Sequence, residues 1–118
     1  MPDLGVTMHD IYKARQRIAA MATRTPVIHS LKLTERVGAS VYLKAENLQR
    51  TGSFKIRGAA NKMLSLADEE KARGVITVSS GNHGRAVAYI AQRLGINAVT
   101  CMSGRVPGNK LDAIKLLG

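Results

Sequence analysis

Apolar side chains recur along this chain at two spacings, and each spacing predicts a different element. From Met8 to Met21, Ile11, Ala14 and Ile18 fall on one face of a helix, and Thr7 with Asp10 offers the reciprocal cap of a helix start. Pro26 stops helical structure and pushes Thr25 towards an extended form. Leu31 to Val37 predicts a short helix closed by Gly38. Between Ser40 and Glu46 the period drops to two, with Val41, Leu43 and Ala45 alternating against polar neighbours, which predicts a strand. Ser53 then stands as the cap of a helix over Phe54–Leu66, and Asp68–Arg73 reads as another short helix, ended by Gly74.

The second half has a cleaner rhythm. Val75–Val78 is a short apolar strand, and a turn at Gly81-Asn82 leads into a helix from His83 to Leu94 that Gly95 ends. Ile96–Met102 is a second strand, Arg105–Pro107 a loop and Asn109–Leu117 a helix. Strand, helix, strand and helix with short connections imply a parallel βαβ unit with a right-handed crossover, and so an α/β fold. No internal repeat, low-complexity tract or long linker interrupts it.

Composition narrows the function. At 118 residues and 45% hydrophobic content the chain supports one small core. Its net charge of +10 would attract anions, nucleic acid included. However, the basic residues are scattered, as Lys13, Arg15, Arg17, Arg24, Lys32 and Arg36 show, and one Phe, three Tyr and no Trp leave few rings for bases to stack on. No nucleic-acid partner is therefore expected. Cys101 is the only cysteine, which excludes an internal disulfide, and its apolar setting in Ala98–Met102 predicts a small buried hydrophobe. No Cys/His/Asp spacing suits zinc, so no metal is expected. The absence of a signal peptide or long apolar run points to a cytoplasmic chain with no membrane partner.

Two short stretches carry candidate chemistry. Phe54, the only phenylalanine, stands beside Lys55 directly after a Gly52-Ser53 turn. A surface lysine, with a pKa near ~10.4, is a poor nucleophile at neutral pH, whereas one in a desolvated niche can attack a carbonyl. On local chemistry alone the plainer reading, a lysine on a solvated helix face, is the stronger. Ser79-Ser80-Gly81-Asn82-His83-Gly84 follows the carboxyl end of a strand and opens a helix. Unpaired helix N–H groups there suit a carboxylate or phosphate, and Gly81 and Gly84 admit close approach. A plain capped helix, with Ser80 or Asn82 satisfying those N–H groups, accounts for the spacing equally well.

Both stretches resemble one family. Ser53-Phe54-Lys55-Ile56-Arg57-Gly58-Ala59 looks like the pyridoxal-phosphate lysine motif of the fold-type-II threonine/serine dehydratases, and Ser79 to Gly84 is similar to their Ser-x-Gly-Asn-His loop. Thr25-Pro26, Leu43-Lys44-Ala45-Glu46-Asn47-Leu48-Gln49, Pro107 and Lys110 add smaller agreements, so the likeness runs from about Ile11 to Gly118. The resemblance implies the tryptophan synthase β-like architecture, incomplete here, with residues 1–50 in the larger domain and 51–118 opening the smaller one. It implies pyridoxal 5'-phosphate held on Lys55, which also removes the substrate Cα proton. Phe54 is expected to pack near the cofactor and Asn82 to bond its phenolic oxygen. Ser79, Ser80, Gly81, Asn82 and His83 match the loop that receives the substrate carboxylate.

The implied reaction is dehydration of a hydroxy amino acid, such as threonine or serine, to a 2-oxo acid and ammonia. Gly84-Arg85, where many threonine dehydratases carry Ala-Gln, and Cys101-Met102-Ser103 look most like the dehydratases of hydroxyectoine utilisation. Ser79-Ser80 resembles serine racemases instead, in which Ser80 would serve the opposite face of Cα. The family's glycine-rich phosphate loop and pyridine-nitrogen partner come later in its chains. This sequence is therefore expected to be the N-terminal portion of a homo-oligomeric parent and inactive alone. The alternatives are a racemase or a catalytically silent fragment.

Overall fold

The computed structural model describes residues 5–105 and 108–118. In chain order it contains α1 (Met8–Arg17), β1 (Val27–His29), α2 (Leu31–Val37), β2 (Tyr42–Lys44), a single 3-10 turn at Glu46–Leu48, α3 (Lys55–Leu64), α4 (Asp68–Arg73), β3 (Val75–Val78), α5 (Asn82–Leu94), β4 (Ala98–Cys101) and α6 (Gly108–Lys115). Pro107, in the expected loop, and the side chain of Lys110 lie outside the described residues.

The predicted cap of α1 forms. Thr7 Oγ1 accepts from the Asp10 N–H at 3.2 Å, and the Asp10 carboxylate accepts from the Thr7 N–H at 2.8 Å. The helix ends at Arg17 rather than Met21, because the chain turns at Ile18 to bury that side chain and half-bury Met21 and Ala22. β1 was not foreseen: three residues after a proline are too few to show a period. It pairs antiparallel with β2, placing Val27 opposite Lys44, Ile28 opposite Leu43 and His29 opposite Tyr42. The strand expected over Ser40–Glu46 shortens to Tyr42–Lys44, since Ala45 leads into the 3-10 turn. Both strands are exposed throughout, so the alternation at Val41, Leu43 and Ala45 marks a strand without a covered face.

β3 and β4 pair in parallel across α5, which is the predicted βαβ unit. Val75, Thr77, Ala98 and Thr100 are half-buried, while Ile76, Val78, Val99 and Cys101 are exposed. Cys101 is therefore not the buried hydrophobe expected, because its register turns it to the uncovered face of the sheet. The core lies between α3 and α5. Ile56, Ala59, Ala60 and Met63 meet Ala86, Val87, Ile90 and Ala91, with Ile18 and Ile96 closing the cluster. Alanines on both helices leave room for Ile56 and Ile90, which are fully buried. Among the described residues no helix is long and apolar enough to cross a membrane.

Candidate active site

The α3–α5 packing brings the two motifs to one end of the molecule. α3 begins at Lys55, and Phe54 occupies the position before it with no side-chain cap. Ser53, expected as the cap of a helix from Phe54, is buried, and its Oγ accepts only a long bond from the Lys55 N–H, 3.4 Å. The turn before it closes by a 2.8 Å bond from the Gly52 N–H to the Gln49 carbonyl, and Gly52 has φ +75°, a conformation that favours glycine. A Cβ on Gly52 would lie 4.0 Å from Arg85 Nη1, in the first turn of α5. Two residues further back, Arg50 Nη1 donates to the Tyr89 hydroxyl at 3.4 Å. The loop that delivers Lys55 thus lies against the first two turns of α5.

Lys55 is exposed, and its Nζ sits 4.8 Å from the centroid of the Phe54 ring. Phe54 is itself exposed, so the apolar niche that would desolvate the amine is open on its outer side. No described carboxylate forms an ion pair with Lys55. The amine is accessible and uncommitted.

The second loop is organised by Ser79. Its Oγ accepts from the Gly84 N–H at 3.0 Å and from the Gly81 N–H at 3.3 Å. Ser79, not Ser80 or Asn82, is therefore the residue that caps α5. Both acceptor positions of its hydroxyl are used, and its own proton remains to be donated. Gly84 is required for fit: a Cβ there would meet Thr100 Cγ2 at 2.9 Å and the Ser79 carbonyl at 3.0 Å. Arg85 N–H bonds the Gly81 carbonyl, which leaves the Asn82 and His83 N–H groups without a described acceptor at the start of a 13-residue helix. Ser80, Asn82 and His83 are exposed, and Gly81 is half-buried. A cleft of about 200 Å³ opens beside them, lined by Gly81, Asn82, Arg85, Asn109, Ala113 and Ile114.

Behind Lys55 lies a polar cluster that the motifs did not single out. The Glu46 carboxylate accepts from Arg57 Nε and Nη2, each at 2.8 Å, from the Thr25 hydroxyl, and from Gln49 Nε2 at 3.2 Å. Those bonds, the Arg57 fork foremost, hold its pKa down at about 2 and raise that of Arg57. Gln49, which is buried, brackets Thr23: its Nε2 donates to the Thr23 carbonyl at 2.7 Å and its Oε1 accepts from the Thr23 N–H at 2.9 Å. Thr51 Oγ1 is buried and has no hydrogen-bond partner among the described residues. Charged and amide side chains just ahead of the lysine motif were visible in the sequence, but only the folded chain shows that Glu46 and Arg57 converge.

An accessible primary amine and a polar, N–H-rich helix start are groups suited to an aldehyde- and anion-bearing ligand. Residues 18–118 match the family described as pyridoxal-phosphate dependent enzyme. The chain belongs to that family, whose fold is the α/β arrangement of the fold-type-II enzymes. It is 50% identical over 114 residues to a provisionally named threonine dehydratase of Sinorhizobium fredii, covering 97% of this chain and 34% of that protein. It is 44% identical over 113 residues to the L-threonine ammonia-lyase of Thermotoga maritima, covering 96% of this chain and 28% of that protein. The solved structure of maize serine racemase superposes with a TM-score of 0.91 at 40% identity, over 96% of this chain and 34% of the racemase. The chain thus spans about a third of the length of the relatives it matches. Lyases and a racemase alike stand among them, all in a family that depends on pyridoxal phosphate.

The residues present fit one side of that cofactor. Lys55 offers the amine, and the start of α5 offers the unpaired donors.

Proposed function

We propose that this chain supplies the lysine and substrate-carboxylate loop of an enzyme that dehydrates and deaminates a small hydroxy amino acid. In the intact protein, residues 1–50 belong to a larger domain and 51–118 open a smaller one. The carrying observation is that the Lys55 loop lies against α5, with Arg50 bonded to Tyr89 and Gly52 facing Arg85, while Lys55 keeps an accessible amine with no acidic partner among the described residues. Lys55 Nζ would hold the cofactor, and its amine would take the proton from the substrate Cα. Pyridoxal phosphate, when bound, supplies the electron sink for that proton's electron pair. Phe54 would pack beside it, and the Asn82 amide would hold its phenolic oxygen. The Asn82 and His83 N–H groups, the Gly81 backbone and the Ser79 hydroxyl proton orient the substrate carboxylate at the helix start. His83 acts by binding the carboxylate rather than as the base, a role the Lys55 amine already fills.

Threonine and serine are the favoured substrates, in keeping with the dehydratase relatives. Gly84-Arg85 and Cys101-Met102-Ser103 favour a hydroxy amino acid of ectoine degradation as the finer choice. One observation supports racemisation as a second reading: Ser80 is exposed, and no described group bonds its hydroxyl, leaving it free to exchange a proton at the opposite face of Cα. Incubating the intact protein with L-serine and L-threonine decides between them. Predominant 2-oxo acid and ammonia support the dehydratase. Predominant D-serine, lost on Ser80→Ala, supports the racemase.

A further inference from the structure

We propose that Glu46 is a positioning residue for Lys55: its fork with Arg57 sets the rotation of the first turn of α3 and so the direction in which the lysine leaves the protein. This rests on the reading of Lys55 as the cofactor-bearing amine.

Apart from Ile56, whose side chain is buried in the α3–α5 core, the start of α3 has little else to hold it. Phe54 provides no side-chain cap, and the Ser53 bond to the Lys55 N–H is long at 3.4 Å. The preceding turn depends on Gly52, the most permissive residue type. An uncapped first turn is the part of a helix most prone to fray, because its N–H groups have no intrahelical partners.

Arg57 supplies the missing restraint. It lies on that turn, and its planar guanidinium meets Glu46 through two bonds of 2.8 Å, a geometry that fixes orientation as well as distance. Arg57 Nη2 also reaches the Thr23 carbonyl at 3.3 Å. Glu46 cannot drift in turn, since Thr25 and Gln49 hold the same carboxylate and Gln49 is bonded to both backbone groups of Thr23. Lys44 adds a longer contact to Glu46, 3.8 Å, and donates to the Thr25 carbonyl. Three stretches of chain, 23–25, 44–49 and the first turn of α3, are therefore tied at one carboxylate.

Lys55 and Arg57 are two residues apart, so on a helix their side chains diverge by about 200°. Fixing Arg57 inward fixes Lys55 outward. A slip of one residue would swing Lys55 by about 100° and take its amine from the face that meets the α5 loop.

The test uses the intact protein with Glu46→Gln, which keeps the shape but removes the charge and one of the two acceptor oxygens, and Arg57→Lys, which keeps the charge and loses the fork. Each is treated with pyridoxal phosphate and borohydride, and labelling of Lys55 is compared with that of Lys62 at the far end of α3. Amide exchange at Ala88 to Ala91 of α5 reports whether the core is intact. The expected result is that both variants keep core protection while the Lys55-to-Lys62 labelling ratio falls by about tenfold or more. A wild-type ratio in either variant with an intact core overturns the positioning role. If Glu46→Gln loses the core, Arg57→Lys decides by the same two readouts. Equal labelling of the two lysines in the wild type overturns the parent reading of Lys55 instead, which separates the two failures.

Discussion

At the scale of single residues, the site is defined by which polar groups are spent and which are kept. Ser79 spends both acceptor positions on Gly81 and Gly84, and Glu46 spends its carboxylate on Arg57, Thr25 and Gln49. Lys55 is spent on nothing but an aromatic neighbour. Glu46 carries a consequence for pH. Its pKa falls from 4.5 to about 2 on folding, so the fork's stabilisation is complete above the ordinary carboxylate range and is lost as pH falls from 4.5 towards 2. Between pH 7 and 5 the fork should be insensitive to pH. Urea unfolding of the wild type and Glu46→Gln across pH 7 to 2 checks this: the gap in midpoints should be constant down to about pH 5 and shrink below it. A gap that closes between pH 7 and 5 would contradict the assigned ionisation.

At the scale of elements, the sequence was most informative where one element has its own cap and its own period. Thr7 with Asp10 announced α1, Gly95 ended α5, and the strand–helix–strand rhythm after Gly74 gave the parallel unit directly. It was least informative where tertiary contacts decide. β1 has only three residues and exists by pairing with β2, and the start of α3 is held by a side chain from another segment rather than by a cap. The lysine and the Asn-His loop were legible as motifs. The Ser79 cap was not, because its hydroxyl reaches the Gly81 and Gly84 N–H groups from two residues ahead of the usual cap position, and the Glu46 cluster was not, because its partners Thr25 and Arg57 lie 21 and 11 residues away and leave no periodic trace. The α3–α5 seam is the element contact on which the site depends. Ile90, fully buried there, should cost about 2–5 kcal/mol on replacement by alanine, measured by chemical denaturation. A loss below about 1 kcal/mol would show that the seam can collapse around the gap.

At the scale of the whole molecule, the chain is a site with one wall. The parallel pair β3–β4 covers only one face with α5, leaving Ile76, Val78 and Val99 exposed, although parallel sheets are ordinarily covered on both. The relatives are about three times as long as the matched segment. On the proposed function, what this segment would contribute to that larger architecture is the amine on α3 and the donors at the head of α5. The measurement that tests this most directly is borohydride reduction of the intact protein loaded with pyridoxal phosphate, followed by mapping of the labelled peptide, in the wild type and in Lys55→Ala. One dominant label is expected, on Lys55, with loss of the visible absorbance and of L-threonine turnover together in the variant. A dominant label on another lysine, or a variant that keeps both absorbance and turnover, would contradict that assignment.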